Sequence, residues 1–125
     1  VQCFDGEIFD VVVDIRLGSP TFGKWQSVVL NAVERQALYL PEGFGHGFAA
    51  LSESATVGYL CSTGFNPEAE HGIHPLDPTL AITWPQTEEP ITMSAKDSSA
   101  PTLADAKVAG LLPTFSACQN WISTH

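Results

Sequence analysis

Positive charge is scarce in this sequence. Five Lys and Arg stand against 14 Asp and Glu, a formal net charge of −9. That balance argues against a nucleic-acid backbone or an anionic membrane surface as partner. Cysteine is sparse as well. Cys3, Cys61 and Cys118 are odd in number, far apart and without a CxxC pair. Neither a disulfide framework nor a thiolate zinc site is expected, and reduced thiols in the cytoplasm are the plain reading. No window approaches the roughly 18 consecutive apolar residues of a membrane span, and no basic leader precedes an apolar run. Methionine occurs once, at Met93, while the first residue is Val1, which reads as a fragment or a processed chain.

What is present suits one small domain. A hydrophobic share of 44% over 125 residues can fill a single core. Nine prolines and ten glycines favour many short segments over a few long helices. In Glu7–Arg16 (EIFDVVVDIR), Phe9, Val11, Val13 and Ile15 share one parity, while Ile8, Asp10, Val12, Asp14 and Arg16 share the other. Period two with β-branched residues predicts a strand with one apolar face. The other face is mixed in polarity, as in a strand lining a partly polar cavity or an interface.

Further strands are expected at Lys24–Leu30, Ala37–Leu40 and Ala81–Trp84. A hairpin is expected from 48–51 to 55–62 around Ser52-Glu53-Ser54. Pro101–Gly110 reads as a helix, with Pro101 at its first position and Gly110 at its end. Phe115, Cys118, Trp121 and Ile122 share a helical face in a second short helix. This pattern predicts an all-β sandwich, jelly roll or barrel with helices appended. Residues 1–98 would form the core and 99–125 a helical tail.

The most informative string is Leu40-Pro-Glu-Gly-Phe-Gly-His46-Gly-Phe48. It contains P-x-G-x-x-H, part of the second motif of the cupin superfamily, in which the turn delivers an inward-facing histidine. The metal-binding form also needs an Asn where Ala50 stands, and the companion H-x-H…E motif does not occur. His46 alone cannot supply the three or four convergent ligands of a zinc or iron site. His71 and His74 lie in a proline-flanked loop, so a metal-free cupin is expected. A hairpin turning at Ser52-Glu53 would set His46 opposite Tyr59, with Cβ atoms about 4.5–5.5 Å apart. A one-residue slip would place them on opposite faces. The bland alternatives are a hydrogen-bonded core histidine, a packing tyrosine, Asp10 and Asp14 paired with Arg16, and Asp97 at a helix start.

Taken together, FDVVVDIRLGSPTFGKW, LPEGFGHGFAALS, VGYLCSTGFNPEAEHGI, LDPTLAITWP and SAKDSSAPTL resemble the dTDP-4-dehydrorhamnose 3,5-epimerase family, in its actinobacterial form. The resemblance runs from about Val1 to at least Pro113. It implies a metal-independent cupin jelly roll (a double-stranded β-helix), with no cofactor, acting as a homodimer. The substrate would be a dTDP-4-keto-6-deoxy sugar, inverted at C3 and C5. By resemblance Tyr59 is the proton donor and Asp97 the carboxylate that orients the catalytic base. His46, Glu70 and Lys96 match substrate-contacting positions, and Asp10 matches an inward-facing carboxylate of the same pocket. Phe65 stands where the family usually carries a Tyr stacked on thymine. His74-Pro-Leu replaces a common Arg-Trp-Asp sequence.

One departure bears on activity. The family carries its catalytic His in an R-G-L-H-[YF] segment upstream of the strand that opens this chain. A ketone-polarising Lys and basic nucleotide-binding residues also lie upstream. None has a counterpart here, so the cupin is expected to lack N-terminal strands and to show little or no turnover alone. Loss of a general base typically costs about 10²–10⁴ in rate. The alternatives are a dTDP-sugar 3,4-ketoisomerase-like cupin and a non-catalytic module that binds a sugar nucleotide or self-associates.

Overall fold

The computed structural model describes all 125 residues. Its strands are β1 (Gln2–Asp5), β2 (Glu7–Asp14), β3 (Trp25–Asn31), β4 (Phe44–Ala50) and β5 (Thr56–Gly58). A 3₁₀ turn at Pro67–Ala69 and helices α1 (Ala95–Ser98), α2 (Leu103–Val108) and α3 (Phe115–Thr124) follow. β2 is the centre of a three-stranded antiparallel sheet ordered β3-β2-β4, and β1 pairs with β5 in a second, two-stranded sheet.

The parity of β2 divides the core in two. Ile8 joins Cys3 and Leu30 in a cluster packed with Val1, Val28, Leu38, Ala55 and Val57, which lies between the sheets. The opposite parity places Val11 and Val13 in a cluster with Leu80, Leu103, Ala106 and Leu112. The helical segment therefore covers the outer face of the sheet and shares a core with it. α2 starts at Thr102, whose hydroxyl accepts from Asp105 N at 3.1 Å. Pro101 thus precedes the cap and is not the first helical residue. Gly110 follows the helix at φ +72°, the left-handed closure that glycine favours.

The expected hairpin between β4 and β5 does not form. β4 pairs with β2 and β5 with β1, so the loop at 51–55 carries the chain from one sheet to the other. Ser52 Oγ accepts from Glu7 N at 2.9 Å, and Leu51 N donates to Glu7 O. Gly6, at φ +75°, leaves the space that the Ser54 carbonyl occupies. Ala37–Leu40 forms only an isolated bridge, Ala37 to Gln2. Ala81–Trp84 is not a strand, because Ala81 sits at φ +52°. Two indole N–H groups hold the stretch at its ends: Trp25 Nε1 donates to Leu80 O, just before it, at 2.9 Å, and Trp84, within it, donates Nε1 to Pro75 O at 2.8 Å.

α3 packs with Phe115, Cys118 and Trp121 inward, while Ile122, expected on the same face, is 39% exposed. It is joined to the end of β2 by Leu17 N donating to Pro113 O and Phe115 N to Leu17 O, both 2.8 Å.

Candidate functional site

β4 is an edge strand, and a cleft of about 1110 Å³ runs along it. His46, Tyr59, Glu70, Lys96 and Asp97 all line this cleft. Five residues singled out in the sequence are thus gathered from β4, the segment after β5, the stretch after the 3₁₀ turn, and α1.

His46 is the best-anchored of them. In the β2–β4 register it stands opposite Val12, and its ring reaches diagonally to Asp10. Nε2 lies 2.7 Å from Asp10 Oδ2. The carboxylate is fully buried while the histidine side chain is 23% exposed, so the pair presents its imidazole to the cleft and hides its charge. Asp10 Oδ1 is buried without a hydrogen-bond partner. Asp10 does not line the cleft; it acts through the ring above it.

The expected pairing of His46 with Tyr59 across a hairpin is replaced by a looser relation. Both face the cleft, but His46 does so from β4 and Tyr59 from the segment just after β5, which belongs to the other sheet, and Tyr59 is 63% exposed. Asp97 lies in the single-turn helix α1, where its N–H donates to Ser94 Oγ at 3.1 Å. The helix-start role and a place on the cleft wall coincide. Lys96 Nζ lies 3.8 Å from Glu70 Oε2, both exposed, so two expected substrate contacts form a loose ion pair. Lys96 is the one ammonium on a wall that also carries Glu53, Glu70, Glu88, Glu89 and Asp97. Phe65 is 81% exposed and does not line the cleft; the structure does not bring it to the other site residues.

Three features escaped the sequence reading. Asp10 was placed in the pocket, but its bond to His46 was not expected, because it depends on β2 pairing with β4. Trp84, packed edge-on against Phe9 at a centroid distance of 5.9 Å, lines the cleft through a segment expected to be strand. The third is where the Asp14–Arg16 pair, itself among the alternatives expected, lies: under the turn that leads to His46. Arg16 is bidentate to Asp14, with Nε–Oδ1 and Nη2–Oδ2 both 2.9 Å. Ser19 and Thr21 hydroxyls also donate to Asp14 Oδ2, each at 2.5 Å. The guanidinium beside it, against the opposing effect of burial, and then these hydroxyls hold the Asp14 carboxyl well below the usual carboxylate range. Arg16 is in turn covered by the rings of Phe44, at 4.2 Å, and Phe115, at 4.9 Å.

The chain is similar to known proteins. A family model described as dTDP-4-dehydrorhamnose 3,5-epimerase matches residues 1–105. The dTDP-4-dehydrorhamnose 3-epimerase of Streptomyces niveus is 55% identical over 119 residues, which is 95% of this chain and 56% of that protein. The dTDP-4-dehydrorhamnose 3,5-epimerase of Mycolicibacterium smegmatis is 48% identical over 124 residues, 99% of this chain and 60% of that protein. Among solved structures, an epimerase from Mycobacterium tuberculosis superposes with a TM-score of 0.95 at 47% identity, covering 98% of this chain and 62% of that one. A 3′-monoepimerase from Streptomyces bikiniensis, solved in complex with dTDP-quinovose, gives a TM-score of 0.91 at 48% identity, covering 98% and 61%. The chain thus spans 56% to 62% of the length of these relatives, and its fold is the cupin-type jelly roll expected of it. By sequence and by structure, it belongs to the dTDP-4-dehydrorhamnose 3,5-epimerase family.

Proposed function

We propose that this chain provides the acid/base wall of an epimerase acting on a dTDP-4-keto-6-deoxy sugar. The observation that carries the reading is the His46–Asp10 pair, 2.7 Å apart, opening onto a cleft that Tyr59, Glu70, Lys96 and Asp97 also line. C3 and C5 flank the C4 ketone, so their hydrogens are the acidic ones. A base removes one, a donor or cation stabilises the enolate oxygen, and an acid returns a proton to the opposite face. Tyr59 is assigned as that acid and Asp97 as the carboxylate that orients the base. His46, backed by Asp10, holds the sugar near its ketone. Lys96 and Glu70 contact the substrate, and Phe65 is assigned to the thymine.

Self-association as a homodimer accompanies this reading. The exposed side chains of Phe4, Tyr39, Leu60 and Phe65 offer apolar surface for such a contact. The three free thiols, one of them exposed at Cys61, fit the reducing cytoplasm.

The test is solvent exchange: incubation with dTDP-4-keto-6-deoxyglucose in D₂O, read by NMR at C3 and C5. The resemblance assigns the base and the enolate-stabilising ammonium to segments without counterpart among these 125 residues. Exchange is therefore expected above the protein-free rate but at least about 10²-fold below that of the relatives. Exchange at the relatives' rate would overturn this and make His46 the first base to mutate. A ketone moved to C3 would mean a ketoisomerase, and dTDP binding with no exchange at all a binding module. A second reading, inversion at C3 alone, is favoured by the relatives named as a 3-epimerase and a 3′-monoepimerase. It predicts deuterium at C3 and none at C5.

A further inference from the structure

Tyr59 lies on a segment with little to hold it. β5 ends at Gly58, and residues 59–65 make no backbone–backbone hydrogen bond. Because β4 and β5 belong to different sheets, no ladder fixes Tyr59 relative to His46. One side-chain hydrogen bond ties the segment down: Ser62 Oγ donates to Glu42 Oε1 at 2.6 Å, across 20 residues of sequence.

The anchor at the other end is rigid. Glu42 sits in the turn Pro41–Gly43, immediately before β4 and four residues ahead of His46. Gly43 adopts φ +88°, and a Cβ there would collide with Cys118 Sγ and the Arg16 side chain. Arg16 is itself held by Asp14 and covered by Phe44 and Phe115. The turn is thus seated on a buried ion pair and on the first turns of α3. A hydrogen bond from this turn to a segment otherwise held only at Gly58, where β5 pairs with β1, transmits that rigidity to Tyr59.

We infer that Glu42 and Ser62 are positioning residues that set the placement of Tyr59 in the cleft relative to His46. Neither lines the cleft, so each acts on the placement of Tyr59 and not as a wall of the site. The catalytic meaning of this placement rests on the assignment of Tyr59 as the acid, whereas the tether itself can be tested without turnover.

Tyr39 and Tyr59 are the only tyrosines, and Tyr39 is 82% exposed. In a Tyr39→Phe background, incorporated 3-fluorotyrosine gives one ¹⁹F resonance, from Tyr59. Ser62→Ala and Glu42→Ala are each expected to move that resonance toward the free amino acid and narrow it. A net hydrogen-bond contribution implies roughly a threefold to tenfold rise in the detached conformer. The double variant should add nothing to either single one. Ser62→Thr, which keeps the hydroxyl, and Glu42→Gln, which keeps an acceptor, should restore most of the original signal. Ser62 is exposed, Glu42 is half-buried and the bond between them is exposed, so far-UV circular dichroism and the thermal midpoint should stay almost unchanged in every variant. A Tyr59 resonance unaltered by Ser62→Ala, or altered equally by Ser62→Thr, would overturn the inference. A displaced Tyr59 with unchanged deuterium exchange would count against its acid role and still support the tether.

Discussion

His46 and Asp10 are 36 residues apart in sequence and 2.7 Å apart in space, and they differ sharply in burial. The carboxylate is at 0% exposure and the imidazole at 23%. Removing the ring while keeping water out would therefore strand a charge with neither oxygen satisfied, since Oδ1 already lacks a partner. His46→Leu is expected to destabilise the chain by about 3 kcal/mol. Asp10→Asn/His46→Leu should recover most of that loss, because the amide carries no charge. Urea denaturation of the single and double variants measures both. A double variant no more stable than His46→Leu would show that the pair contributes through packing alone.

The Asp14–Arg16 pair predicts an acid limb to stability. The folded-state pKa of Asp14 is held well below the carboxylate range, first by the Arg16 guanidinium and then by Ser19 and Thr21. An unfolded Asp titrates near about 3.9. Between the two values the unfolded chain binds the extra proton, so stability rises with pH there. The contribution is fully present above about pH 5 and is lost as pH falls below about 4 toward the folded-state value. Asp14→Asn should cost about 3–5 kcal/mol at neutral pH, since Arg16 is left buried with its charge unmatched. It should also flatten the acid limb. Guanidinium denaturation at a series of pH values from 2 upward would read out both effects, and an unchanged acid limb in Asp14→Asn would refute the assignment.

Local patterns were legible in the sequence and long-range pairings were not. The alternation in Glu7–Arg16 identified β2 and separated its two faces, because that signal depends only on neighbours along the chain. The P-x-G-x-x-H turn delivering His46 and the Gly110 stop of α2 are local in the same sense. The hairpin at Ser52-Glu53-Ser54 failed because the same residues also suit a crossover, and the choice was made by Gly6, 46 positions before Ser52. That glycine leaves room for the Ser54 carbonyl, and Glu7 offers its backbone to Ser52 and Leu51. Ala81–Trp84 misled for a related reason: the distant Trp25, bonded to Leu80 O, and Trp84 reaching back to Pro75 O take the place of strand neighbours. The gathering of Tyr59, Glu70, Lys96 and Asp97 around one cleft came from family resemblance alone, since nothing in their spacing announces it.

Gly43 should be intolerant of any side chain. At φ +88° an alanine is strained, and its methyl group would meet Cys118 Sγ and the Arg16 side chain. Gly43→Ala is expected to cost about 2 kcal/mol or more and to loosen α3 from the turn. Thiol labelling reports this directly. In the parent chain Cys61 is exposed while Cys3 and Cys118 are buried, and burial pushes the Cys118 thiol up, so one thiol should react fast. Gly43→Ala should release a second, with mass mapping placing it at Cys118. A single reactive thiol in the variant would mean that the turn and the helix are not coupled.

Lys96 separates stability from binding. Its ion pair with Glu70 spans 3.8 Å with the two side chains 69% and 46% exposed, a geometry that contributes well under 1 kcal/mol to folding. Lys96→Ala should therefore leave the denaturation midpoint almost unmoved. It is, however, the only ammonium in a cleft crowded with carboxylates, so any anionic ligand must rely on it for charge compensation. Affinity for dTDP, measured by calorimetry, is expected to fall about tenfold in Lys96→Ala, and to fall in the parent chain as salt rises. Glu70→Gln should have the opposite sign, because it frees the ammonium and removes a nearby negative charge. Equal affinity across all three proteins would place the pyrophosphate outside this cleft.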